Sequence, residues 1–270
     1  MRKRNLRMMI AGVFTCMAAI MVNAATEDGN AKTPLLNLNT PAGWQEEKNL
    51  TAKSDGAIEI KGVKWIFSKE AIKIEPDKTF KLSGSFKKTG NAPTGEVFYL
   101  GFCPLDKNKQ VIQAYSVNVI PDTDTELTTA IAKGDKVLKV KNAENWKTES
   151  YIFPAFKTEP SYSDLPNSNV ALVSLTKIEK KTDCYEVTLS SPYNGDEYPA
   201  GTKVRQHAAG GYMYVIVERG MDDWVSVDGQ VKGRAKSGAP ADKWWPGCEY
   251  VRIIAGANNH DMKDVKLTSE

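Results

Sequence analysis

The side chains in this chain best suited to meet a ligand are its rings, six Trp and ten Tyr, rather than its acids, histidines or thiols. A pyranose presents a flat C–H face that lies on an exposed aromatic ring, and its hydroxyls need planar polar partners such as Asn, Gln, Asp or Arg. Trp44, Trp65, Trp244 and Trp245 flank expected strand edges or loops, where a ring can be offered to a ligand. Tyr99 and Tyr115 fall on expected strands that could line a concave face, with Gln113 and Arg252 as polar partners. The competing role for each ring is core filling. Neighbouring residues on a strand point to opposite faces, so Trp244 and Trp245 cannot both face a ligand. One of them is expected to be exposed, and the sequence does not say which.

Catalytic constellations are harder to find. A glycosidase needs two carboxylates across one cleft, and spacing pairs none of Glu96, Asp106, Asp222, Asp223 or Glu249. The two histidines, His207 and His260, lie near no nucleophile-elbow pattern. Gly210-Gly211 has neither the Lys nor the following helix of a phosphate loop. No Cys-x-x-Cys pair exists, so a structural zinc is not expected. The chain is read as non-catalytic, requiring no cofactor.

Compartment is written in the first residues. Arg2, Lys3, Arg4 and Arg7 precede an apolar run from Met8 to Val22, and Val22-Asn23-Ala24 offers small residues to a signal peptidase. That run is short for a membrane span of about 20 residues. Residues 1–24 are therefore read as a cleaved secretory signal, and the mature protein as exported: periplasmic, cell-surface or secreted, with no membrane span. Removing the four basic residues of the signal leaves 32 basic against 33 acidic side chains. The mature chain has no basic concentration suited to phosphate backbones, so nucleic acid is not an expected partner. Cys103, Cys184 and Cys248 remain, an odd number that permits one bridge at most. Buried, inert thiols are the expectation, with a Cys103–Cys248 bridge left open.

The elements that must position these side chains are strands. Period-2 alternation runs through Ala57–Ile60, Ala71–Glu75 and Thr79–Phe86, and Glu96–Cys103 is more continuously apolar, as in a strand covered on both faces. Leu105–Gln110 reads as a turn and Val111–Ile120 as the strand returning from it. After Pro121–Thr125 the turn chemistry changes. Short strands are expected at Gly134–Val140, Tyr151–Phe156, Ala171–Glu179 and Tyr185–Leu189, with Tyr198–Val204 ending the block. The earlier style resumes at Tyr212–Glu218. Trp224–Val231 carries an Asp-Gly hairpin signal, and Glu249–Ala255 and Asp264–Leu267 close the sheet. The organisation expected is a flexible leader over 25–41, a discontinuous sandwich over 42–122 and 212–268, and an inserted small β domain over 123–211.

The outer part resembles the CenC-type carbohydrate-binding modules of the galactose-binding-like superfold. The resemblance is carried by Gly43-Trp44, Ala57-Ile-Glu-Ile60 and Ile74-Glu-Pro-Asp-Lys-Thr-Phe-Lys-Leu-Ser-Gly84, with Trp224–Val227, Tyr250–Ile253 and Asp264–Leu267 as closing strands. The middle resembles a small β module of bacteriophage tail and bacterial surface proteins, through Thr125–Thr128, Lys133–Val140, Glu186–Pro192 and Tyr198–Val204. These resemblances imply an all-β, antiparallel jelly-roll sandwich with an inserted small β domain, binding carbohydrate or another extracellular polymer. The alternative is a structural or adhesion module with a surface protein as partner. Modules of this type often hold a structural calcium. Asp264 falls where the resemblance would place a ligand, and Asp55 sits in the Ser-Asp-Gly turn before the first strand.

Overall fold

A chain that alternates every second residue, with no sustained 3.6-residue apolar stripe, buries its apolar side chains by pairing strands. The computed structural model describes residues 34–270 apart from 63, 64, 91, 93 and 94. The expected signal over 1–24 lies outside the described residues. Strand accounts for 42% of the described residues and helix for 4%, and every pairing between their strands is antiparallel. The protein is all-β.

Six strands come first: β1 (Leu50–Ala52), β2 (Ile58–Ile60), β3 (Ile66–Phe67), β4 (Ile72–Lys73), β5 (Phe80–Lys88) and β6 (Val97–Leu105). A middle group follows: β7 (Thr125–Glu126), β8 (Val137–Val140), β9 (Ile152–Phe156), β10 (Leu175–Lys180), β11 (Tyr185–Leu189) and β12 (Lys203–Ala208). The chain ends with β13 (Met213–Arg219), β14 (Val225–Val231), β15 (Tyr250–Gly256) and β16 (His260–Ser269). One five-stranded sheet runs β1-β2-β16-β5-β14. A second runs β13-β6-β15-β3, with β4 also pairing β15. Strands from the beginning and end of the chain thus interleave in both sheets.

The two sheets face each other across one apolar cluster. Phe80, Leu82 and Phe86 of β5 alternate into it, as do Phe98, Leu100 and Phe102 of β6 and Val251, Ile253 and Ala255 of β15. Phe86 of the first sheet stacks on Phe98 of the second at 4.3 Å between centroids. The segment between β14 and β15 folds over one end. Trp244 packs edge-on against Phe80 and Phe102, and the Trp245 Nε1 donates to the Pro240 carbonyl at 2.9 Å. Both indoles are fully buried, which corrects the expectation that one would meet a ligand. They lie off the strands, in the irregular segment where Trp244 makes only an isolated bridge to Arg234, so strand alternation does not separate them.

Three other expectations differ from the structure. Val111–Ile120 is an irregular segment with one 3-10 turn at Ala114–Ser116, because it leaves the sheet to bind the middle strands. The Asp228-Gly229 pair makes no hairpin: β14 runs straight through it, paired with β5, and the missing Cβ of Gly229 admits the Val215 side chain. The leader expected over 25–41 is packed from Leu35 onward. The Leu35 amide donates to the Leu267 carbonyl, Leu36 and Leu38 join the core, and the Trp44 Nε1 donates to the Leu38 carbonyl.

The middle strands build two three-stranded sheets, β10-β11-β8 and β7-β12-β9, around a separate apolar cluster in which Phe156 stacks on Tyr198 at 4.4 Å. They join residues 114–120 through backbone bonds from Ile120 to Gln206 and from Ala208 to Asn118. A buried polar knot reinforces this junction. Arg205 Nη2 donates to Asp164 at 2.6 Å, and its Nη1 donates to the Glu159 carbonyl at 3.0 Å. Its Nε donates to His207 Nε2 at 2.9 Å. Because guanidinium nitrogens only donate, Nε2 must accept and the ring proton sits on Nδ1, which donates to the Tyr115 carbonyl at 2.7 Å.

Candidate functional site

Alternation that sends Phe98, Leu100 and Phe102 inward turns Tyr99, Gly101 and Cys103 to the opposite face of the second sheet. Strand register then sets their neighbours. Tyr99 lies opposite Gly256, and Gly101 is flanked by Tyr214 and Ile254, with Phe67 beyond Ile254. Two glycines make this face possible. A Cβ on Gly101 would strike the backbone of Met213, and one on Gly256 would sit inside the Trp65 ring. The indole of Trp65 therefore lies directly over the Gly256 backbone.

An aromatic cluster results. Trp65 stacks on Tyr214 with centroids 5.4 Å apart and planes 16° from parallel, and tilts against Tyr99 at 5.2 Å. Tyr99 and Tyr214 meet at 4.9 Å, and Tyr212 stands edge-on to Phe67 at 5.6 Å. Burial pushes the Tyr214 phenol up to about 12 and raises Tyr212 as well, so both hydroxyls stay protonated and can donate. A hollow opens on each side of Trp65. One, of about 320 Å³, is lined by Tyr99, Glu96, Gly256 and Asn258. The other, of about 290 Å³, is lined by Gln113, Tyr212, Tyr214 and Gly211. An apolar plate with carboxylate and amide groups at its margins can stack a flat apolar face and hydrogen-bond its rim.

Of the expected ligand residues, Trp65, Tyr99 and Gln113 meet here. Tyr115 lies in the 3-10 turn at Ala114–Ser116, where its carbonyl holds His207, and it touches none of these rings. Arg252 shares the face but is committed elsewhere. Its Nη1 donates to the Ser68 and Lys69 carbonyls, pinning the segment after β3. Trp244 and Trp245 are core residues. Tyr212, Tyr214, Glu96 and Asn258 were missed. The Tyr-Met-Tyr spacing of 212–214 puts two phenols on one face of a strand, but pairing with β6 is what brings them to Trp65.

Two of the three described thiols are enclosed. Burial pushes the Cys103 thiol up to about 11 and the Cys248 thiol up to about 12. Cys103, Cys184 and Cys248 are all free, so the Cys103–Cys248 bridge is not formed. Asp55 accepts the Ala57 amide in a local turn, and Asp264 sits exposed, with φ of 54°, where β16 slips register against β5. Among the described residues, no group of three or more His, Cys, Asp or Glu side chains gathers where an ion could be held. The two aspartates expected as calcium ligands thus stand in a local turn and at a strand irregularity.

Comparison of the chain with protein-family models, curated proteins and solved structures finds no match.

Proposed function

We propose that this protein is an exported, non-catalytic carbohydrate-binding β-protein whose ligand stacks on the Trp65 face of the second sheet. The observation that carries this reading is the Trp65 indole, laid over a glycine and stacked on Tyr214, with a polar-rimmed hollow on either side. A pyranose ring on the indole would turn its hydroxyls toward Glu96 and Asn258 on one flank and Gln113 on the other. Aromatic contacts of this kind contribute about 0.5–1.5 kcal/mol beyond area burial, so single-site affinity is weak and favours a polymer engaged at several points. The resemblance of the outer strands to CenC-type modules supports the same reading, and the basic, apolar N-terminus supports export.

The test is a glycan array and calorimetric titration on the purified protein, repeated with Trp65→Ala and Trp65→Phe. Binding lost in Trp65→Ala and partly restored in Trp65→Phe is the expected result. Unchanged binding in Trp65→Ala refutes the aromatic face as the site. Binding to no glycan favours the alternative, a scaffolding or adhesion module that engages protein.

A further inference from the structure

The middle strands carry a further hollow, of about 320 Å³, that shares no residue with the Trp65 face. Its walls are built by chain register. Lys203 of β12 lies opposite Glu126 of β7, and the Lys141 amide donates to the Glu126 carbonyl just after β8. The Glu126 carboxylate accepts from Lys203 Nζ at 2.5 Å and from Lys141 Nζ at 3.4 Å. Two ammonium groups therefore share one carboxylate, and this wall keeps an excess positive charge with unspent N–H donors.

The other wall has the opposite character. Among the described residues Asp124 accepts no hydrogen bond, and its one ion-pair neighbour there is Arg205 Nη1 at 3.8 Å. Arg205 is already engaged with Asp164, Glu159 and His207, so Asp124 is left a partly enclosed carboxylate with no donor of its own. Burial raises its pKa, the signature of a carboxylate lacking adequate solvation. Thr158, only 2% exposed, lines the same hollow, and its hydroxyl makes no bond among the described residues. Asn142 binds the Glu144 amide through Oδ1, which leaves its Nδ2 free. Thr158 is the one buried member of this set, and Asp124, Lys141, Asn142 and Lys203 are exposed, so the hollow offers acceptors on one wall and donors on the other to a partner that carries both charges.

We propose that this hollow binds a small zwitterion, an α-amino acid, with its ammonium on Asp124 and Thr158 and its carboxylate toward Lys141, Lys203 and Asn142. Neither charge alone satisfies both walls. A neutral sugar would leave the Asp124 charge uncompensated, and a simple anion would face it directly.

Isothermal titration of the full chain with L-alanine, L-alaninamide and N-acetyl-L-alanine tests this. L-alanine is expected to bind, and each singly charged analogue at least about tenfold more weakly. Asp124→Asn keeps the side-chain volume and is expected to weaken L-alanine by at least about tenfold, a loss of about 1.4 kcal/mol. Thr158→Val, which leaves the Arg205 knot untouched, is expected to weaken it severalfold, so a folding defect in one variant does not leave the proposal untested. Failure of L-alanine to bind, alaninamide binding as tightly as L-alanine, or wild-type affinity in both variants would each overturn it. None of these outcomes bears on glycan binding at Trp65.

Discussion

His207 makes stability depend on pH in a way that can be sized from its surroundings. Its ring is fully buried, with Nε2 accepting from a guanidinium and Nδ1 donating to a carbonyl. Protonation would place a second charge in a buried site and force a new N–H against Arg205. Burial is the largest cause and, with a lesser contribution from Arg205, lowers its pKa from 6.5 to about 4, against raising effects from the Tyr115 carbonyl, second only to burial, and from Asp164. The unfolded chain takes up this proton near pH 6.5, whereas the folded chain resists until about pH 4. Between those values the unfolded state binds more protons, so stability is full above about 6.5 and falls as pH drops toward 4. At 1.36 kcal/mol per pH unit, the gap amounts to roughly 3 kcal/mol. Urea denaturation at intervals from pH 7.5 to 4.5 measures it, with His207→Gln as the reference that cannot titrate at this position. His260, also lowered by burial, contributes with the same sign in both proteins and cancels in the difference. Equal pH slopes in wild type and His207→Gln between pH 6.5 and 5 would refute the reasoning. So would an NMR titration of His207 with a midpoint near 6.5.

Three further outcomes follow from the packing. Gly256→Ala should displace the Trp65 indole and abolish glycan binding at a stability cost of about 1–3 kcal/mol; a crystal structure of the variant with the ring unmoved would contradict this. Phe86→Ala should cost about 3–5 kcal/mol in urea denaturation, because it removes the ring that spans the two sheets; a loss under about 1 kcal/mol would mean that the sheets do not depend on that contact. Native labelling with iodoacetamide at neutral pH, read by peptide mass spectrometry, should modify Cys184, which is partly exposed, and spare the buried Cys103 and Cys248; modification of Cys103 at a comparable rate would show that the Trp65 face opens in solution.

Alternation in the sequence determined that this chain would be all-β and which side chains would fill its core. Phe80, Leu82 and Phe86, or Tyr185–Leu189, could be assigned from period alone because a strand's two faces are fixed locally by the pleat. The same local rule failed at Trp244-Trp245, where an irregular segment between two strands lets both rings point inward, and at Asp228-Gly229, where the glycine serves a neighbouring side chain. Trp65, Tyr99 and Gln113 were nameable as ligand residues from their type. Their assembly with Tyr212 and Tyr214 was not, since it depends on β6 pairing with both β13 and β15 across more than a hundred residues. The Asp124 hollow was likewise invisible: its walls come from β7, β12 and the end of β8, and nothing in their spacing marks a carboxylate left without a donor. Composition and period are properties of short stretches, so the sequence states them openly. A binding site is a set of distances between remote stretches, and only the tertiary register sets those.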